Sequence, residues 1–124
     1  MLSSAKVIAF LPSSDLERSR QFFTGTLGLT VDDVTPYACV LHVGATMVRI
    51  TKVDDLRPQP FTVFGWDVVD IETVVAALAS AGVSFLHFAG MDQDTAGVWT
   101  TPGGDKVAWF HDPDGNTLSL TQFR

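Results

Sequence analysis

The sequence predicts an α+β fold: two tandem βαβββ modules whose curved mixed sheets lie around a central cleft. Three observations carry this. The order strand, helix, then three extended segments runs twice along the 124 residues. Both helices open on the same signal, Asp15-Leu16-Glu17 and Asp70-Ile71-Glu72, and both end at a glycine, in Leu27-Gly28-Leu29 and Ala81-Gly82-Val83. Both modules close on matching strands, Val48-Arg49-Ile50-Thr51-Lys52-Val53 and Leu118-Ser119-Leu120-Thr121-Gln122-Phe123. A single module of this kind leaves one sheet face bare, so the two copies are expected to pack together.

Module one spans about residues 5–53. Lys6 to Leu11 is apolar and stops at Pro12-Ser13-Ser14, as a short buried strand does. Ser13, Ser14 or Asp15 can cap the helix that follows, and Glu17 suits the positive end of its dipole. Leu16, Ser19, Phe22 and Phe23 recur at helical spacing, and Gly28 sits at the exit. Val31 to Val34, Tyr37 to Val43 and Thr46 to Val53 are extended, with Gly44-Ala45 as the turn between the last two. Asp54 to Pro60 is polar, carries two prolines and reads as a linker.

Module two spans about residues 61–124. Phe61 to Val68 is a strand, Asp70 opens a helix through Ala81, and Val83 to Phe88 is a further strand. Gly90 to Gly97 is a polar loop in which Asp92 and Asp94 stand as candidate lid residues. Val98 to Thr101, Lys106 to Phe110 and Thr117 to Phe123 are extended. His111-Asp112-Pro113-Asp114-Gly115-Asn116 has proline and glycine placed for a tight reversal.

Composition narrows the function. Apolar residues make up 46% and charged residues 18%, which is globular and not disordered. The net charge is -6 and the eight bases are scattered, so a nucleic-acid partner is not expected. No run reaches the length of a membrane span, and the N-terminus lacks a signal-peptide core. The single cysteine, Cys39, forms no disulfide within the chain, which suits a reducing, cytoplasmic setting.

Val107-Ala108-Trp109-Phe110-His111-Asp112-Pro113-Asp114-Gly115-Asn116-Thr117-Leu118-Ser119-Leu120 is a strand ending in Phe, an Asp-Pro-Asp-Gly-Asn turn and a final strand. With the Asp15 to Gly28 helix and its Phe-Phe pair, this resembles the vicinal-oxygen-chelate superfamily of glyoxalase I, extradiol dioxygenases and fosfomycin- and bleomycin-resistance proteins. The resemblance covers residues 5 to 124. The turn is structural, so it speaks to fold and not to chemistry. The resemblance also implies a metal held by a His on each module's first strand, seven residues before the helix-opening Asp, and by a Glu or His on each last strand. Here those positions are Ile8, Val63, Arg49 and Ser119. Two hydrocarbons, a cation and a lone hydroxyl do not supply the converging donors a divalent ion needs. The expectation is therefore no metal at that site and no cofactor.

Strand alternation puts Met47, Arg49 and Thr51 on one face, and Thr117, Ser119 and Thr121 on the matching face of the other module. Arg49 in an apolar cleft needs a partner. Asp67, on the face of Val63 and Gly65, is one candidate and the acidic group of a ligand another. Trp99 can line the cleft mouth. Phe64 and Trp66 alternate onto the helix side, while Trp109 and Tyr37 stay open between core and cleft. His42, His87 and His111 show no two-His spacing and read as ordinary strand or turn residues.

The favoured reading is a binding module for a small amphipathic or aromatic molecule, held by Ile8, Arg49, Val63, Asp67, Trp99, Ser119 and Thr121. It resembles the drug-sequestering members of the superfamily. One alternative is a metal-dependent lyase, isomerase or dioxygenase with a shifted site on His42 or His87 with Asp67, or a metal-free proton-transfer enzyme. Another is a domain that only assembles. Relatives commonly pair, so a homodimer is expected.

Overall fold

The computed structural model describes residues 1–124 as two compact units, Met1–Arg57 and Pro58–Arg124. Each carries one helix against one curved, open four-stranded mixed sheet. In the first unit the strands are β1 (Ile8–Ser13), β2 (Thr30–Val34), β3 (Ala38–Val43) and β4 (Thr46–Lys52), in the order β1-β4-β3-β2. In the second they are β5 (Thr62–Asp67), β6 (Trp99–Thr100), β7 (Lys106–His111) and β8 (Thr117–Gln122), in the order β5-β8-β7-β6. β1 runs parallel to β4, and β5 to β8; the remaining pairs are antiparallel. The internal repeat thus reappears strand for strand.

The first helix, α1 (Leu16–Gln21), is capped by Asp15, whose carboxylate accepts from the Arg18 N–H at 3.1 Å. It widens into a π-helical turn over Phe22–Thr26. There the Thr24 hydroxyl donates to the Arg20 carbonyl at 2.6 Å, the back-bonding that bends helices. The turn delivers Phe23, 1% exposed, onto the sheet. Asp70 caps α2 (Ile71–Ser80) in the same manner, accepting from the backbone N–H and the hydroxyl of Thr73. Gly28 and Gly82 follow the two helices with φ of 76° and 97°, a left-handed exit that residues bearing a Cβ rarely adopt.

Each helix covers one sheet face. In module one Leu11, Cys39, Leu41, Val48 and Ile50 share the buried side, and Ser13 is tied to Ser19 of α1 through their hydroxyls at 2.6 Å. In module two Ile71 and Val75 of α2 pack in a core with Ala108, Phe110, Leu118 and Leu120. Phe64 and Trp66 pair in register with Leu118 and Leu120, and Trp66 stacks on Phe110. Gln122 locks helix to sheet by accepting from the Ile71 N–H at 2.9 Å.

One expected strand does not form. Residues 83–88 make only a single bridge, Phe85 to Phe110, and one hydrogen bond from Leu86 N–H to the Trp109 carbonyl. The Gln93 side chain supplies the rest: it donates to the carbonyls of Leu86 and Gly97 and accepts from the Phe88 N–H. A side-chain amide thus satisfies backbone groups that a neighbouring strand would otherwise pair.

The Asp112–Asn116 turn is a closed polar knot. Asp112, 5% exposed, accepts from the N–H groups of Asp114 and Asn116 and from the Asn116 side-chain amide, at 2.8–3.0 Å. Burial still outweighs these bonds and pushes the carboxyl above its usual range. This group's contribution to stability therefore falls as pH rises from the ordinary carboxylate value to the raised one. Asp112→Ala leaves three donors without their acceptor and is expected to cost about 2 kcal/mol; a denaturant midpoint unchanged from the parent would contradict this.

Candidate functional site

The strand register assigns the residues of the sheet face opposite the helix in each module; Phe10 and Ile8 on it are exposed, whereas Ala38, Val40, Thr117 and Ser119 are buried. In module one Phe10, Arg49 and Val40 form one cross-strand row. Ile8, Met47 and His42 form the next, and Pro12, Thr51 and Ala38 a third. Phe10 is 62% exposed although it is a large apolar side chain. Arg49 is half-buried between Phe10 and Val40 and makes no hydrogen bond or ion pair. A shallow cavity of about 210 Å³ lies at the Ile8 end, lined by Lys6, Val7, Ile8, His42, Ala45 and Met47. Arg49 has Phe10 and Val40 as its cross-strand neighbours, while His42 pairs through Nδ1 with the Asp32 carboxylate.

Asp32 is the first of two adjacent acids in β2 and the one that pairs with His42. Its pairing depends on a break in the β2–β3 register between Val31 and Asp33, at Asp32 itself. Bulges of this kind leave little trace in sequence. Asp54 and Asp55 pair with Lys52 and Arg57 at the surface.

In module two this face carries the rows Gly65, Ser119, Trp109 and Asp67, Thr121, Val107, Trp99. Trp99 and Trp109 stack with ring centroids 6.2 Å apart, and Phe88 meets Trp109 edge-on at 5.4 Å. Trp109, left open by sequence reasoning, therefore belongs to this face. Phe88 is the residue that reasoning missed; nothing in a residue's own neighbourhood tells where a loop returns. Val63 falls in a β5 irregularity between Thr62 and Phe64, out of the ladder that carries Gly65 and Asp67. Asp94 accepts from the N–H groups of Ala96 and Val98 within its own loop.

The residues expected at the site thus divide by module. Ile8 and Arg49 share the face of the first sheet opposite its helix, and Asp67, Ser119, Thr121 and Trp99 the matching face of the second. The side chains at positions 8, 49, 63 and 119 are Ile, Arg, Val and Ser, which do not fit a divalent cation. No three His, Cys, Asp or Glu side chains converge elsewhere. His87 and His111 are exposed, the latter at the end of β7 opposite Thr117. No helix is long and apolar enough to cross a membrane.

Comparison with known proteins adds the wider setting. A family model described as the Glyoxalase/Bleomycin resistance protein/Dioxygenase superfamily matches residues 6–120. No curated protein sequence matches the chain. Among solved structures, an integron cassette protein from the mobile metagenome of the Halifax Harbour sewage outfall is 24% identical, with 97% of this chain and 99% of that one aligned at a TM-score of 0.73. A bleomycin resistance determinant encoded on transposon Tn5 is 20% identical over 96% and 98%, at 0.74. A lactoylglutathione lyase from Agrobacterium tumefaciens is 16% identical over 96% and 93%, also at 0.74. At these identities the likeness is one of fold.

Proposed function

The chain belongs to the glyoxalase/bleomycin resistance protein/dioxygenase superfamily, and from that premise we propose that it binds a small amphipathic or aromatic molecule through an acidic group, with no metal at the superfamily's usual ligand positions. The observation that carries this reading is Arg49. Arg49 is half-buried, its cross-strand neighbours are Phe10 and Val40, and no protein group accepts a hydrogen bond from its guanidinium, so an acceptor there is left for a ligand to supply. A carboxylate, sulfonate or phosphate on a ligand supplies it through two parallel N–H···O bonds.

In this reading Ile8 and Val63 offer apolar contact, Trp99 a ring wall, and Asp67, Ser119 and Thr121 hydrogen-bonding groups. Calorimetry with 2-naphthoate and its uncharged amide tests the reading. The carboxylate is expected to bind more tightly; equal affinities, or no binding by either, would count against it.

The metal-dependent alternative has one observation in its favour, the His42–Asp32 pair beside the Ile8 cavity. Two ligands fall short of the three protein donors usual at catalytic zinc. Cys39 is fully buried and its thiol is pushed up by burial, a poorly reactive group that suits a reducing compartment such as the cytoplasm.

A homodimer belongs to the same proposal. β1 and β5 are sheet-edge strands, and Ile8, Phe10, Phe61 and Val63 on or beside them are exposed by 40–62%. Apolar edges of this kind are normally covered. Light scattering at micromolar concentration is expected to give twice the 13.4 kDa chain mass; the monomer mass alone would reject the pairing.

A further inference from the structure

We propose that residues 87–97 form a strap that moves as one clasped unit onto and away from Trp109, with the Gln93 side chain as the clasp, and so governs what reaches that ring. The strap rests on the small-molecule reading only for what it admits. Its own evidence is the register and hydrogen bonding of module two.

The internal repeat shows where the strap enters the fold. Val40 faces Arg49 and Trp109 faces Ser119, so Leu41 matches Phe110, and the pair Val31–Leu41 matches the bridge Phe85–Phe110. In module one β2 then breaks register at Asp32 and rejoins β3 at once, with Asp33 opposite Val40. In module two the chain leaves the same edge at the same point. Leu86 donates its N–H to the Trp109 carbonyl, and the chain returns to the ladder at Trp99, opposite Val107. A bulge already lets the chain out of the ladder, and it is there that a longer excursion is tolerated.

The excursion is tied to itself more than to the sheet. Gln93 Nε2 donates to the carbonyls of Leu86 and Gly97, both at 2.8 Å, and Oε1 accepts from the Phe88 N–H at 2.7 Å. One amide thus joins the outgoing and returning stems. Asp94 holds the return limb, accepting from the N–H groups of Ala96 and Val98 at 3.0 and 2.9 Å. These bonds close within residues 86–98, and one bridge, Gln93 to Trp99, runs into β6. The stems meet closely at Gly97, where φ is 98° and an added Cβ would stand 3.0 Å from the Phe85 Cβ. Towards β7 the strap offers Phe88, 42% exposed, whose ring meets Trp109 edge-on with centroids 5.4 Å apart. A single edge-on ring contact is a light hold beside a packed core. Braced within and lightly held outside, the segment pivots where Leu86 and Val98 rejoin the sheet, and Phe88 leaves Trp109 as it does so.

The test is nitrogen-15 relaxation dispersion on the full chain, which reads motion on the timescale of lids. The amides of residues 87–97 and the indole N–H of Trp109 are expected to share one exchange rate, with flat profiles along β7 and β8. Gln93→Ala is expected to split that common rate into unlike ones while the sheet stays folded. Phe88→Ala is expected to keep the common rate and raise the open population at least threefold. If Gln93→Ala does not fold, Gln93→Glu takes its place, since it keeps the acceptor for the Phe88 N–H and loses both donations. Flat profiles along 87–97, unlike rates in the parent, or a common rate that survives loss of the clasp overturns the strap. Added 2-naphthoate is expected to shift the open population at least threefold. If it binds and the strap's exchange is unaltered, control of the ring is overturned and the Arg49 reading stands. If it does not bind while the shared exchange is seen, the small-molecule reading falls and the strap stands.

Discussion

Arg49→Leu is expected to weaken an aromatic carboxylate by about 2–3 kcal/mol, about 30- to 150-fold in affinity, and to leave the fold in place. The two parts of this expectation have different origins. Affinity falls because the acidic group loses a charged, two-pronged donor in a setting with less water than the surface. The lower part of the usual range applies because Arg49 is half-buried and not sealed. The fold persists because Arg49 has no hydrogen bond or ion pair to break. Leucine packs as readily as the arginine stem against Phe10 and Val40, its neighbours across β1 and β3. The matching amide should be nearly indifferent to the substitution. A variant that binds carboxylate as tightly as the parent, measured by calorimetry, removes Arg49 from the site.

Phe110→Ala is expected to have the largest effect on stability, about 3–5 kcal/mol in a denaturant titration. Phe110 is 0% exposed on β7 and paired with Leu118 of β8. Its ring stacks on Trp66 at 6.2 Å and meets Phe85 edge-on at 5.6 Å. Alanine would leave a cavity among three elements that cannot all close on it: two strands and the segment pinned by the Phe85 bridge. Domains of this size are stable by only about 5–15 kcal/mol, so the variant would lose a large share of its margin. Trp66 emission should shift in the native baseline as its stacking partner disappears. A loss below about 1 kcal/mol would mean that the core relaxes around the gap.

The contrast between these residues shows what a sequence makes legible. Phe110 could be placed because apolar alternation along β7 and the reversal at Asp112–Asn116 are local patterns, and a helix or strand obeys its own period. The repeat likewise placed Arg49 and Ser119 as counterparts, and the register puts each on the face of its own sheet opposite the helix. The segment 83–88 read as a strand because its local pattern is that of a strand; the Gln93 side chain that takes up its hydrogen bonds lies several residues away. The Asp32–His42 pair depends on a bulge, and the clustering of Phe88 with Trp109 on a loop's return path. Such contacts are set by tertiary geometry. The sheet faces set by strand alternation were therefore legible, and the contacts carried by loops and bulges were not.

Calorimetry distinguishes Arg49 from a metal as the group that meets the ligand's charge. Calorimetric titration of 2-naphthoate is carried out on protein treated with a chelator, then repeated with Zn, Ni, Mn or Fe(II) added. The expected result is the same affinity and stoichiometry throughout, because residues 8, 49, 63 and 119 present two hydrocarbons, a cation and a hydroxyl. Binding that disappears with the chelator and returns with one of these ions would contradict it, and would move the His42–Asp32 pair to the centre of the site.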